Sequence, residues 1–418
     1  PRASCLISLG EQQVYEIKKG NDNDYKSWFI KRGKSFSLSF LSISSLIFTD
    51  RIVLQKMEEA DSDKIPEWMN INNISDTHII QEEEMMELGL LSVKYEEEQL
   101  KRCGIKTNQY QFKVTFGVSP TTMCRIYEDL QTSTAEDTET NPPRPMRLKG
   151  SKINLKWFLR TVYYLRKYPT EDDIDRVLKL NKGWAQTKIW DVIEKIQYLK
   201  FKKITWPDDL GGDDIWIMTI DGTHVWLYEP GHPEFSMDSA YFSHKFNKAG
   251  TNYELGIAIA TGKLVWMNGP YKAGKNDLQI FTCGGLKERL LLLKKKGIGD
   301  GGYRGHQGVI SSPNSHDSRP VKLFKSRALK RHEGFNGMTK SFQILRERFR
   351  HGTGKVGRAF EAVAVICQYK IEAEEPLWDV LVQDVLKEDP DSDSDSDMED
   401  MPVSDDEGDG DEDEDEDE

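Results

Sequence analysis

Two spacings of apolar residues organise this 418-residue chain. From about residue 77 to 205 they recur at helical intervals; past 214 they fall into short β-branched and aromatic runs interleaved with helices. Residues 1–75 show neither spacing and are expected to be poorly ordered. A helical, acidic stretch over 77–104 leads into Phe116-Gly117-Val118-Ser119-Pro120, where a glycine turn and a serine cap precede a second helix. That corner makes 76–131 a helix-turn-helix-like segment. Thr, Pro and acidic residues over 132–150 read as a linker. In the next unit, 151–205, Leu155, Phe158, Leu159, Val162 and Leu165 share one helical face. Thr170 caps a helix with acids in its first turn, and a break at Asn181-Lys182-Gly183 precedes a third helix over 185–201. This unit is either a DNA-binding module or an α-helical clamp packed on the next domain. Strands are expected over 215–220, 253–260 and 263–268, the last two joined by a Thr261-Gly262 turn. A helix over 277–296, a short strand at Ile298-Gly299, and helices over 327–350 and 357–372 complete the pattern.

Composition changes the picture once charge is located. The whole chain has 57 Lys and Arg against 70 Asp and Glu, a net of −13 that argues against a nucleic-acid partner. Yet 388–418 holds 20 acids and no base, so 1–387 is net +7, and 101–387 net +14. A basic body therefore carries an acidic tail, which cannot bury a core and is expected to be disordered. The tail either competes with DNA for the basic body, binds basic chromatin proteins, or only solubilises. Ser392, Ser394, Ser396 and Ser404 within it suit acidophilic kinases. Five scattered cysteines without a Cys-x-x-Cys pair suit a reducing compartment. The apolar, Ser-rich run over 35–49 is too short to span a bilayer, and Met57 reads as a plausible start.

Three acids stand out by position. Asp221 follows the apolar run Trp216-Ile217-Met218-Thr219-Ile220 and is expected at its strand's end. Asp300 follows the next buried strand, in Gly299-Asp300-Gly301-Gly302-Tyr303-Arg304-Gly305, whose glycines permit close approach of backbone and phosphate. Glu333 interrupts a basic helix, sharing its polar face with Lys340 opposite a stripe of Phe335, Met338, Phe342, Leu345 and Phe349. Two strand-borne carboxylates and one from a helix suit two Mg²⁺, or Mn²⁺, which prefer carboxylate oxygens. Such a pair, about 4 Å apart, activates an attacking water or 3′-hydroxyl and stabilises the leaving oxygen. Asp277, in Gly274-Lys275-Asn276-Asp277, is a rival second ligand, read more simply as a helix cap. His224 and His332 flank two of the acids and are accessory candidates. Residues 301–358 carry 13 bases against three acids, a track for DNA phosphates. Lys325, Arg327, Lys330, Arg331, Lys340, Arg346 and Arg350 are its expected DNA-binding side chains.

Three consecutive strands, a helix, a fourth strand and closing helices are the order of an RNase H-like α/β fold, here preceded by all-α helix-turn-helix segments. Residues 214–380 resemble the DDE endonuclease domain of Harbinger-type transposases, related to bacterial IS5-like enzymes. The resemblance rests on Ile220-Asp221-Gly222-Thr223-His224-Val225-Trp226, Ser243-His244-Lys245, Trp266-Met267-Asn268-Gly269-Pro270, the segment around Asp300, Ser312-Pro313-Asn314, the segment 331–340, and Arg348-Phe349-Arg350-His351-Gly352. It implies a catalytic, metal-binding triad of Asp221, Asp300 and Glu333. It further implies a DDE endonuclease domain over 206–380, a nuclear enzyme that cuts element ends and joins the 3′-hydroxyl to target DNA, action as a homo-oligomer, and a Myb-like DNA-binding partner. The bacterial relatives have Arg four residues before the Glu; Leu329 stands there, with Arg331 as the expected substitute. The alternative is a transposase-derived, non-catalytic DNA- or chromatin-binding protein. Gly352-Thr353-Gly354-Lys355 lacks the spacing of a phosphate loop, and the eight histidines lack zinc-ligand spacing.

Overall fold

The structure is a computed structural model that describes residues 4–8, 14–19, 28–30, 80–132, 153–178, 182–207, 210, 214–228, 239–303, 305, 306 and 308–380. The expected linker past Thr132, the acidic tail, the 35–49 run and Arg304 lie outside the described residues. The chain divides into two units, Pro1–Asn73 and Ile74–Glu418. The first holds an antiparallel sheet of β1 (Ser4–Ser8), β2 (Val14–Lys19) and β3 (Trp28–Ile30), where no element was expected.

The second unit is built on a six-stranded sheet. Its strands are β4 (Trp216–Trp226), β5 (Phe242–Ser243), β6 (Lys248–Ala258), β7 (Leu264–Lys272), β8 (Lys296–Ile298) and β9 (Ile310–Ser311). Strands β4, β6 and β7 pair antiparallel in succession; β8 joins the free edge of β4 in parallel, and β9 joins β8 in parallel. The β6–β7 turn closes where the apolar pattern expects it, with Gly262 at φ +66. Strand β4 runs five residues beyond Asp221, because β6 stays paired with it as far as Trp226. The β8 pairing, in contrast, ends at Thr219. Asp221 therefore sits mid-strand, at the level where β4 loses its parallel neighbour.

Each sheet face has its own cover. Met218 and Ile220 pack with Phe281, Leu286, Leu290, Tyr303 and Ile310. Phe281 belongs to α9 (Asp277–Cys283) and the two leucines to α10 (Leu286–Leu293). The single helix expected over 277–296 is thus two, broken at Gly284-Gly285, where Gly285 takes φ +91. On the other face lie α11 (Arg319–Lys340) and α13 (Thr353–Ala373), with Phe324 and Ala328 packed on Ile298 and Phe360 stacked at 3.9 Å on Tyr253. The expected basic helix starts earlier, with Pro320 in its first turn, and stops at Lys340; α12 (Gln343–Arg346) follows separately.

The preceding helices are α1 (Glu82–Ser92), α2 (Glu97–Arg102), α3 (Ile105–Phe116), α4 (Pro120–Thr132), α5 (Leu155–Lys167), α6 (Glu171–Leu178), α7 (Lys182–Tyr198) and α8 (Lys200–Lys203). Gly117, at φ +82, makes the expected α3–α4 corner. The first turn of α4 points inward: Glu374, just past α13, accepts from Ser119 N at 2.7 Å and Thr122 Oγ1 at 2.8 Å. A helix that reads DNA presents that turn to base edges. Buried Glu361 of α13 binds Gln197 and Lys200, so α7 and α8 dock on the same helix. Arg350 N donates to Tyr168 Oη at 2.6 Å, and His351 pairs with Tyr164. The helices after the linker thus clamp the sheet-bearing core. Among the described residues, no helix is long and apolar enough to cross a membrane.

Candidate active site

Asp221 lies within β4, and Asp300 follows two residues after the neighbouring strand β8 ends. Thr219 pairs with Ile298, and each aspartate lies two residues further on. The β4–β8 pairing ends just before them, and the charge of Asp300 is the largest acting on the Asp221 carboxyl. Asp221 lies on the α11 side of the sheet. Its Oδ1 accepts from Gly222 N and its Oδ2 from Asn336 Nδ2, both at 2.8 Å. Asn336 is one helical turn past Glu333, so the face of α11 that holds Asp221 also presents Glu333, which is exposed. The half-buried Asp300 accepts from Gly302 N at 2.8 Å through Oδ1, while its carbonyl accepts from Ser312 Oγ at 2.8 Å.

The glycines around Asp300 serve packing. A Cβ on Gly299 would stand 2.9 Å from the ring of buried Tyr303, and one on Gly302 3.0 Å from Asp300 Oδ1. Asp277 begins α9, as its sequence context suggests, but it is not the cap. Asn276 caps that helix, its side chain accepting from Gln279 N at 2.8 Å while Gln279 Oε1 answers Asn276 N. The Asp277 carboxylate instead accepts from Asn252 Nδ2 at 2.9 Å.

Electrostatics mark the cluster. Burial, then the charge of Asp300, then those of Asp277 and Glu333 push the Asp221 carboxyl up to about 7. Burial and Asp300 raise Asp277 as well, against its Asn252 hydrogen bond. Burial lifts Glu254 of β6 to about 7; its Oε1 accepts from Trp266 Nε1 at 2.9 Å. Asp221 is thus answered by a backbone N–H and a neutral amide, and Asp277 by a neutral amide and the charge of Lys245. Half-buried carboxylates that raise one another's pKa fit a hard divalent cation in charge and donor chemistry. As the side chains are placed, no three His, Cys, Asp or Glu among the described residues close around a cation position.

The other expected site residues separate into two groups. His332 is buried, its Nδ1 paired with Thr219 Oγ1 at 2.9 Å, and burial brings its pKa down to about 3; it props α11 on β4. Burial and Lys340 bring His224 down to about 4, and its ring stacks on Trp226. Lys325, 1% exposed, pairs with Asp317 at 2.8 Å. Arg331, also 1% exposed, donates to the carbonyls of Ala258 at 2.9 Å and Ile259 at 3.0 Å at the β6–β7 turn. It therefore does not reach outward as a substitute for the missing arginine. Burial lowers Lys340 to about 8; it donates to the carbonyls of His224 and Leu345. Arg350 lies 3.9 Å over the Tyr168 ring. Lys330 and Arg346 are exposed and Arg327 half-buried. A cleft of about 410 Å³ lined by Trp226, Gly337, Lys340, Ser341 and Arg346 opens one turn from Glu333.

The chain matches no family model, no curated protein and no solved structure. Two partners in the site carry no strong sequence signal. Asn336 is detectable only as the residue three after Glu333, and Asn252 only through a strand register that places it opposite His224.

Proposed function

We propose that this chain is a divalent-metal-dependent DNA endonuclease and strand transferase of the Harbinger type, built on an RNase H-like domain over 206–380. The observation that carries the reading is the approach of Asp221, midway along β4, and Asp300, two residues past the end of the parallel strand β8, beneath a helix that holds Asp221 through Asn336 and carries Glu333 one turn away. The sheet supports it too, with three antiparallel strands in succession and a fourth parallel to the first. Asp221, Asp300 and Glu333 would hold Mg²⁺, which when bound activates the attacking oxygen and stabilises the leaving one. Asn336 orients Asp221 by fixing Oδ2. Exposed Lys330 and Arg346, with Arg327, neutralise phosphates along the track, while Lys325 and Arg331 hold the helix in place.

Purified full chain, given supercoiled plasmid or element-end duplex with Mg²⁺ or Mn²⁺, should nick the DNA. Asp221→Ala and Glu333→Ala should each lower the rate at least about a thousandfold while DNA retention persists. Equal cleavage by wild type and both variants would remove the assignment. DNA retention without cleavage by wild type would favour the non-catalytic binding protein.

A further inference from the structure

We propose that Asp277 is a fourth carboxylate of the cation site, reaching it from the sheet face opposite Glu333. The proposal rests on reading the site as a divalent-cation centre, and it adds a ligand to it. The helix start does not need this carboxylate, because Asn276 and Gln279 already form a complete capping box. The side chain turns towards the sheet into a niche formed by two glycines. A Cβ on Gly222 would stand 2.4 Å from Asp277 Oδ1 and 3.1 Å from its Cγ. On Gly302 it would stand 3.5 Å from Asp277 Oδ2 and 3.0 Å from Asp300 Oδ1. One point in space thus touches both carboxylates, and Gly222 directly follows Asp221 in β4.

A second observation points to a ligand independently of the acids. Asn252 is 1% exposed; its Nδ2 holds Asp277, but its Oδ1 has no hydrogen-bond partner. That oxygen lies 3.3 Å from the same Gly222 Cβ position, so it is aimed at the niche Asp277 fills. A buried acceptor without a donor is costly unless an ion or its bound water completes it. Oxygen-lined coordination by carboxylates and an amide carbonyl is the chemistry a hard divalent cation takes. The four carboxylates then come from three directions: Asp221 and Asp300 from the sheet, Glu333 from α11, and Asp277 from α9.

Mn²⁺ binding to the full chain without DNA, followed by calorimetry or by the spin-resonance signal of free Mn²⁺, tests this without reference to cleavage. Asp277→Asn keeps the size of the side chain and should weaken Mn²⁺ binding at least about tenfold, as should Gly222→Ala, which displaces the carboxylate. The rise in Tm on replacing EDTA with Mn²⁺ should shrink in both variants, a comparison that stays valid if their metal-free stability changes. Wild-type affinity in Asp277→Asn, alongside loss of binding in Asp221→Asn, would overturn this inference and leave the proposed function standing. Absence of Mn²⁺ binding in the wild type would overturn both.

Discussion

Asp221 has the most revealing titration in the molecule. Its folded pKa of about 7 lies above the value of about 3.9 for a free aspartate, so the folded chain retains a proton that the unfolded chain releases. Stability from this group is full below pH of about 4 and is lost as pH rises through 7. His332, held down to about 3 by burial, behaves oppositely: its contribution is present above about 6.5 and is lost as pH falls towards 3. Comparing wild type with Asp221→Asn isolates the carboxylate. In EDTA, denaturant titrations should show the variant gaining on wild type by a few kcal/mol between pH 4 and 8. A constant difference over that range would contradict the shift. Mg²⁺ competes with the same proton, so wild-type affinity should climb as pH rises towards 7 and level off above it.

Among the elements, α4 and the segment after α12 decide how the helices meet the sheet. Glu374 accepts two hydrogen bonds at the start of α4 and pairs with Lys113 of α3 at 3.0 Å. Its carboxylate also favours the positive end of the helix. Glu374→Ala should cost about 1–2 kcal/mol, read from the denaturation midpoint, and leave Mn²⁺ binding unchanged because its partners Ser119, Thr122 and Lys113 are not among the proposed cation ligands. A shift in Mn²⁺ affinity would couple the corner to the site. The Arg348-Phe349-Arg350-His351-Gly352 segment extends the frame of the sheet. Phe349 N donates to Trp226 O at 2.8 Å, and Tyr168 and Tyr164 bind the next two residues. A stretch singled out for family resemblance thus anchors the clamp.

For the whole molecule, the separation of charge matters more than the sum. The exposed bases near the site, Lys330 and Arg346, stand against an acidic segment over 388–418 whose 20 acids outnumber them. Deleting 388–418 should tighten DNA binding several-fold at low salt, with the difference fading as salt rises, if the tail competes for the basic surface. Unchanged affinity would leave the tail a solubilising role. The fluorescence anisotropy of a labelled duplex across a salt series measures both outcomes.

Much of this architecture was legible in the order of residues. Apolar spacing located the β-rich segment, the Thr261-Gly262 turn and the helices that close the fold, because such periods follow from backbone geometry alone. Asp221, Asp300 and Glu333 stood out because a carboxylate after an apolar strand, or within a basic helix, breaks its local pattern. Register and helix rotation were decided only in three dimensions. A helical period shows that 324, 328, 331, 332 and 335 share a face; only packing against Ile298 and the β6–β7 turn buried Arg331 and Lys325 with them. The break at Gly284-Gly285 lay in the sequence, yet the direction of Asp277 did not. It depends on Gly222 and Asn252 standing next to each other across paired strands 30 residues apart in sequence, a closeness that belongs to the sheet and not to the chain.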